Sequence, residues 1–304
     1  MSTRRNGRVL VATSGSTASE SAITFAARTA ASRGLSLELV FVVPTAASAG
    51  PYGVAPDALV RDAGRRVLAQ GEELARRVAP EVDVTSALLI GSRADAVVEH
   101  AHDADLVVVG AAPHDLLGRF WTGSTVTGIA ARATSPVAVI PRDFAGGSKP
   151  QVLVGLKSTR HADALLATAF AVASQTDSGL RIVHAWQMLS PYDNAVADRL
   201  PTPVWEVEEG RRIESLLIDL RMAHPAVPVQ VDLVHGQPGR VLVEAAREAG
   251  VLVISRPLHG GFVHHLGATA RAVLREAGCP ILVVPPSERP AAADYVGAAV
   301  ATAP

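Results

Sequence analysis

Short apolar runs alternate with longer segments of helical periodicity along most of the chain. Strands that are apolar at nearly every position are typical of a parallel sheet whose two faces are both covered by helices. In the first part of the chain the pattern predicts strands at Arg8–Ala12, Ser36–Val43, Val82–Leu89, Asp105–Val109 and Val137–Ile140, and helices at Thr17–Arg33, Asp57–Val78, Arg93–His102 and Ser124–Ala133.

The same order of elements occurs a second time. Arg8–Val43 matches Gln151–Trp186, and Gly123–Pro141 matches Gly267–Pro285, with offsets between 143 and 145 residues along the chain. Constant order and spacing indicate a duplicated unit. We therefore predict two domains, residues 1–146 and 147–286, joined at "FAGGSKP", and an Ala-rich tail, residues 287–304.

Short connections and right-handed crossovers favour a doubly wound sheet in each unit. The predicted fold class is α/β, with two tandem five-stranded parallel sheets and helices on both faces. Ligands of such sheets bind beyond the carboxyl ends of the strands, where the strand order reverses. The loops after the first strand and after the fourth strand are therefore the candidate binding loops.

Composition narrows the class of protein. Of 304 residues, 48% are hydrophobic, and the formal net charge is −1, so the chain lacks the basic excess of nucleic-acid binders. The single cysteine, Cys279, excludes an intrachain disulfide and a zinc site built from cysteines. No apolar run approaches the ~20 residues of a membrane span, so we predict a soluble, cytoplasmic protein without membrane or nucleic-acid partners.

The loop after the fourth strand contains two glycines, Gly110 and Gly123, whose spacing can be compared with known motifs. Gly110 is followed after two residues by Pro113, and nine residues later by Gly123 and Ser124. With the first-strand turn "ATSGS" and the closing strand "SPVAVIP", this resembles the universal stress protein family, whose signature has a second glycine at position 113. The resemblance covers both units and implies strand order 3-2-1-4-5, with a nucleotide pocket between the first and fourth strands. One subclass of the family binds ATP there, and other members bind none.

The resemblance assigns this pocket to eight residues of the first unit: Thr13, Ser14, Val42, Gly110, His114, Gly123, Ser124 and Thr125. Gly123 to Thr125 open a helix, where free N–H groups favour anions. Ser14, however, stands where ATP-binding members carry an aspartate, and Pro113 has no N–H to donate. ATP or a related nucleotide is therefore expected to bind weakly, and in the first unit only, if it binds at all.

The second unit departs further from the signature. Lys157 stands at the aspartate position, Ser255 and Leu258 replace the first two glycines, and Ala268 follows Gly267. We interpret this second pocket as structural. Arg256 is read as a solvated surface arginine, with anion binding as the alternative.

Sequence motifs for catalysis are missing. The chain has no G-x-x-x-x-G-K-[ST] loop, and "ATSGST" lacks the first glycine of a hydrolase elbow. The histidine groups, His100 with His102 and His259 with His264 and His265, lack accompanying ligands at metal-binding spacing. We predict no catalytic residues and no metal site.

Three functional hypotheses remain open. The favoured one is a stress-response regulatory or binding module, not an enzyme, that acts by assembly or partner binding. The alternatives are a weakened ATP-binding site in the first unit and, third, a slow ATPase. The last strands, "VAVIP" and "ILVVP", pair either within the chain as a pseudo-dimer or between two chains as a homodimer. The long loops after the second strands, near residues 44–57 and 187–204, are hypothesised to act as lids.

Overall fold

The structure is a computed structural model, and it describes residues 7–45, 57–111, 123–144, 146, 151–188, 204–256 and 266–286. The strands are β1 Arg8–Ala12, β2 Ser36–Val43, β3 Val84–Ile90, β4 Leu106–Gly110, β5 Val137–Ile140, β6 Gln151–Gly155, β7 Gly179–Trp186, β8 Val229–His235, β9 Val251–Ser255 and β10 Ile281–Val284. The helices are α1 Thr17–Arg33, α2 Asp57–Val78, α3 Arg93–His100, α4 Gly123–Arg132, α5 Asp163–Gln175, α6 Val204–Ala223, α7 Pro238–Ala245 and α8 Ala268–Glu276.

All ten of these strands form one sheet, in the order β3-β2-β1-β4-β5-β10-β9-β6-β7-β8. Each repeat, β1–β5 or β6–β10, is parallel and has the predicted order 3-2-1-4-5. The α/β fold class is thus confirmed. The two five-stranded sets are joined edge to edge, because β10 pairs antiparallel with β5 through Val139–Ile281, Ala138–Leu282 and Val137–Val283.

Element boundaries in the first repeat agree with the apolar pattern to within two residues. β3 begins at Val84 and not Val82, because the Val82 N–H donates to the Ala79 carbonyl in a turn. α3 ends at His100, where the Ala101 N–H makes the last helical bond, to Val97. Turn hydrogen bonds of this kind leave no trace in hydrophobic periodicity.

The core forms two layers, one on each face of the sheet. One layer joins α1, α2, α5 and α6 to the sheet around Phe25 and Phe170. The other joins α3, α4, α7 and α8 to the sheet around Ile129, Leu242 and Cys279. Both layers run across the β5–β10 junction, so the two repeats share their cores.

Arg256 makes a second connection between the repeats. Because β5 and β10 are antiparallel, the carboxyl ends of the second-repeat strands lie at the edge where α4 of the first repeat ends. Arg256 follows β9 at that edge, and its Nη1 donates to the carbonyls of Ala131 at 2.7 Å and Ala133 at 3.0 Å. These are carbonyls at a helix C-terminus, where a positive charge is favoured.

This placement corrects the reading of Arg256 as a solvated arginine. Burial lowers the pKa of its guanidinium from the usual value, although an arginine remains charged in proteins. The position that matches Arg256 in the first repeat holds Ala111, so the connection is one-sided.

The predicted domain boundaries stay predictions, since the tail 287–304 and most of the "FAGGSKP" linker lie outside the described residues. The two proposed lid loops fall largely on residues 46–56 and 189–203, also outside the described residues. Among the helices that the structure describes, none is long and apolar enough to cross a bilayer.

Candidate functional site

The carboxyl ends of β1 and β4 lie side by side in the first repeat. Ala12 is in register with Val109, so Thr13 and Gly110 follow at the same edge. The Thr13 N–H donates to the Val40 carbonyl at 2.9 Å, which continues the β1–β2 pairing by one residue. This edge is the position that the family resemblance assigns to the nucleotide.

A cluster of serine hydroxyls closes the β1–α1 turn. The Ser14 hydroxyl donates to Ser16 Oγ at 3.1 Å and lies 3.1 Å from Ser19 Oγ. The Ser14 N–H donates to Ser19 Oγ at 3.0 Å, and the Ser19 N–H donates to Ser16 Oγ at 3.3 Å. Ser16 is thereby the N-cap of α1. Ser14 is exposed, but its hydroxyl is hydrogen-bonded to other serines of the β1–α1 turn.

Replacing Ser16 by alanine is expected to lower the free energy of unfolding by about 1 kcal/mol, because α1 loses its N-cap. Urea unfolding measures the change. Ser32→Ala, near the exposed C-terminal end of α1, is the control, with an expected change within about 0.5 kcal/mol. Equal effects of the two substitutions would contradict the capping role.

Gly15 and Gly110 are required by the fold at this edge. Gly15 has φ +76°, and a Cβ there would lie 2.8 Å from Val67 Cγ2 of α2. A Cβ at Gly110 would lie 2.3 Å from the Ala18 carbonyl oxygen, in the first turn of α1. The glycine that matches the family signature therefore allows the backbone of α1 to pack directly against the end of β4.

The second repeat has Ser255 where the first has Gly110. By the 143-residue offset that relates β1 to β6, α5 would begin at Arg160, but it begins at Asp163. The residue that matches Ala18 is His161, which lies in a turn with φ +57°. The later start removes the helical turn that a side chain at this position would strike.

α4 opens at Gly123, with Ser124 and Thr125 in its first turn. Because α4 connects the parallel strands β4 and β5, its N-terminus lies at the carboxyl edge of the first repeat, as Thr13 and Gly110 do. Val42 lies on β2, 8% exposed and paired with Leu89, as a buried strand residue does. His114 and Pro113 lie outside the described residues.

A polar cleft of about 700 Å³ lies next to this edge, between α1, α2 and the segment after β5. Thr13, Ser16 and other hydroxyl residues line it, together with two glutamates and two arginines: Glu20, Glu73, Arg77 and Arg142. An excess of positive charge favours a triphosphate, and this balanced set does not offer one. The cleft suits a polar surface of mixed charge.

Residue types for metal binding do not converge in the described part of the chain. No group of three or more His, Cys, Asp or Glu side chains there could hold a metal ion. His100 Nε2 lies 2.9 Å from Glu38 Oε1, which accepts a hydrogen bond, at the edge opposite the candidate site. His259, His264 and His265 lie outside the described residues. Cys279 is buried.

Comparison with known proteins agrees with this geometry. The sequence profile of the Universal stress protein family matches residues 5–141 and 150–285. The universal stress protein Rv2005c of Mycobacterium tuberculosis is 30% identical over 290 residues, covering 92% of this chain and 97% of its own. A universal stress protein of Mycolicibacterium smegmatis is 28% identical over 291 residues, covering 91% and 97%.

A solved structure shows the same fold along nearly the whole chain. The crystal structure of a universal stress protein from Archaeoglobus fulgidus has a TM-score of 0.68 at 15% identity, and the alignment covers 93% of this chain and 100% of that one. The chain belongs to the universal stress protein family and carries two tandem copies of its domain.

Proposed function

We propose that this tandem universal stress protein is a regulatory binding module whose nucleotide pocket is degenerate, and that it acts through assembly or partner binding without catalysis. One observation carries the proposal: two residues that the family resemblance assigns to the first pocket, Ser14 and Gly110, make contacts that the fold itself requires. The Ser14 hydroxyl is bonded within the β1–α1 turn. Gly110 provides the space for the Ala18 backbone.

Charge supports the same conclusion. A serine hydroxyl is an uncharged acceptor, whereas the aspartate that the family resemblance places at this position makes charge-assisted hydrogen bonds. The loss of one such bond costs about 1–3 kcal/mol, or roughly ten- to hundredfold in affinity. Pro113 removes a backbone donor as well. Two such losses in one pocket would weaken the binding of ATP further, which favours a function that does not depend on ATP.

The pairing of β5 with β10 supports a role for the two repeats as one unit. The edge strand β5 of the first repeat pairs with the edge strand β10 of the second repeat within the same chain. We therefore propose an intrachain pseudo-dimer, in which the edges of β5 and β10 are not available to a second chain. The polar cleft between α1 and α2 is the open surface that we propose for partner contact.

Weak ATP binding in the first repeat is the second candidate function. It is favoured by the N-terminus of α4, where Gly123, Ser124 and Thr125 open the helix at the carboxyl edge. The ligand would contact Thr13, Ser14, Val42, Gly110 and His114 in addition. A slow ATPase would need a base positioned beside the phosphates, and no carboxylate is among the eight residues that the resemblance assigns to this pocket.

Calorimetric titration of the full chain with ATP tests both candidates. We expect no saturable heat at millimolar ATP. Saturable one-to-one binding that is lost in Gly123→Asp, and retained in the matched substitution Gly267→Asp of the second repeat, would contradict the proposal and establish the ATP-binding alternative. Thermal unfolding checks that both variants are folded, which we expect because an acidic residue is tolerated at a helix N-terminus. ADP that accumulates over many turnovers would indicate an ATPase instead.

A further inference from the structure

The second repeat contains a partly enclosed cavity of about 170 Å³ between the carboxyl ends of β6 and β9. Its apolar wall comes from Val183, Ala185, Leu242 and Ile254. Its polar lining is confined to Lys157 after β6, to Ser255 after β9 and to the first turn of α8, which includes Thr269. The cavity therefore has an apolar body and a polar, positively charged end.

The size of the cavity limits its occupant. Pockets for cofactors and drug-sized ligands measure roughly 300–1,000 Å³. An apolar cavity of roughly 150 Å³ accommodates a molecule of the size of benzene. The space that the described residues enclose therefore suits a compact hydrocarbon group and not a nucleotide.

Lys157 gives the cavity its charge. It is exposed, and its ammonium makes no hydrogen bond or ion pair with any residue in the described part of the chain. It is also one of only two lysines in the chain, the other being Lys149, against 26 arginines. Lys157 follows Leu156, whose N–H donates to the Val183 carbonyl at 3.0 Å and so continues the β6–β7 pairing by one residue. A positive charge thus lies at the cavity without a partner among the residues that the structure describes.

The first turn of α8 adds N–H donors at the same end. Gly267 is the N-cap of α8 and provides no side-chain acceptor. The first helical hydrogen bond of α8 runs from the Arg271 N–H to the Gly267 carbonyl. The preceding N–H groups, of Ala268 to Ala270, have no acceptor among the described residues, and these residues line the cavity. Such groups stabilise an anionic oxygen.

We propose that the second repeat binds a small apolar carboxylic acid in this cavity. Its hydrocarbon body packs against Val183, Leu242 and Ile254, and its carboxylate lies between the Lys157 ammonium and the N-terminus of α8. The site goes beyond the proposed function of the chain and does not depend on the first pocket. It also replaces the purely structural interpretation of the second pocket that the sequence favours.

Two acids are the probes that test this site, benzoate and 3-methylbutanoate, each titrated calorimetrically into the full chain. We expect saturable one-to-one binding of at least one of them. Benzamide, which has the shape of benzoate without its charge, is expected to bind at least tenfold more weakly, and acetate, which has the charge without the body, likewise. Absence of saturable heat from both acids, or equal affinities for benzoate and benzamide, would overturn the proposal.

Substitutions of single residues test whether the acid binds in this cavity. Lys157→Gln is expected to weaken the binding of the acid about ten- to hundredfold, because the charge-assisted bond is lost. Lys149→Gln removes the other lysine and the same charge, and it is expected to leave the affinity unchanged. Leu242→Phe fills part of the cavity and is expected to abolish binding, with thermal unfolding as a check on its fold. Because Lys157 is exposed, Lys157→Gln remains decisive even if Leu242→Phe does not fold.

Equal losses in Lys157→Gln and Lys149→Gln would show that binding reflects net charge alone, and would contradict the site. The outcome is separable from that of the proposed function. ATP binding that depends on Gly123 would contradict the function and leave the acid site standing. Failure of the acids to bind would contradict the site and leave the proposed function untouched.

Discussion

Replacing Gly110 by alanine is expected to lower the free energy of unfolding by about 3 kcal/mol or more, whether or not ATP is present. A Cβ at this position would lie 2.3 Å from the Ala18 carbonyl oxygen and 2.6 Å from the Ala18 carbonyl carbon. These are backbone atoms of α1, so the helix or the strand must shift. Overpacking of a core typically costs about 1–3 kcal/mol, and contact with backbone lies at the upper end. Urea unfolding followed by circular dichroism measures the loss.

Gly278→Ala is the matched control for this prediction. A Cβ at Gly278 would meet no atom within 4 Å, and its backbone does not require a positive φ. We expect unchanged or slightly raised stability, since alanine restricts the unfolded chain. If Gly110→Ala unfolded at the same urea concentration as Gly278→Ala and altered only nucleotide binding, the structural role of Gly110 would be wrong.

Replacing Arg256 by methionine is expected to lower the free energy of unfolding by about 2–3 kcal/mol. Methionine retains a long apolar side chain and removes the charge, leaving the carbonyls of Ala131 and Ala133 without their donor. Because those carbonyls end α4 of the first repeat, a substitution in the second repeat should loosen a helix of the first. Hydrogen exchange along α4 measures this local effect, and urea unfolding measures the global one.

Arg247→Met provides the comparison for Arg256. Arg247 forms an exposed ion pair with Glu244, three residues away on one surface segment. Ion pairs of this kind contribute little to stability, so its loss is expected to change the free energy of unfolding by less than about 0.5 kcal/mol. Unaltered exchange in α4 of the Arg256→Met variant would show that Arg256 does not connect the repeats.

The strand and helix pattern could be predicted from the sequence because it follows from periodicity and burial. β1, β2, β5, α1 and α2 begin and end at the predicted residues. Their apolar runs are short and bounded by turn residues, which leaves little freedom in placing the ends. The duplication could be predicted for a related reason, since order and spacing survive when individual residues change.

Contacts between distant segments could not be predicted in this way. The sequence left the pairing of "VAVIP" with "ILVVP" open, and the structure shows the two strands joined within one chain. Arg256 sits in a loop beside its own repeat, and only the antiparallel junction brings it to α4. Side-chain hydrogen bonds across a fold depend on three-dimensional position, about which local sequence carries no information.

For the candidate site, too, local patterns could be predicted from the sequence and contacts between distant segments could not. The residues at the family-signature positions could be named from the resemblance, which rests on the glycine spacing together with the first-strand turn, the closing strand and the duplication. What they contact could not, since Gly110 matches the signature whether it faces a phosphate or the backbone of Ala18. The cavity beside Lys157 could not be predicted from the sequence either, because its lining residues come from five separate elements: β6, β7, β9, α7 and α8.

The most direct test of a degenerate nucleotide pocket is native mass spectrometry of the full chain as purified from cells. The chain will have been in contact with cellular ATP since its synthesis. We predict the mass of the polypeptide without any nucleotide. A stoichiometric increment with the mass of ATP or ADP, absent from the Gly123→Asp variant and present in Gly267→Asp, would contradict the account.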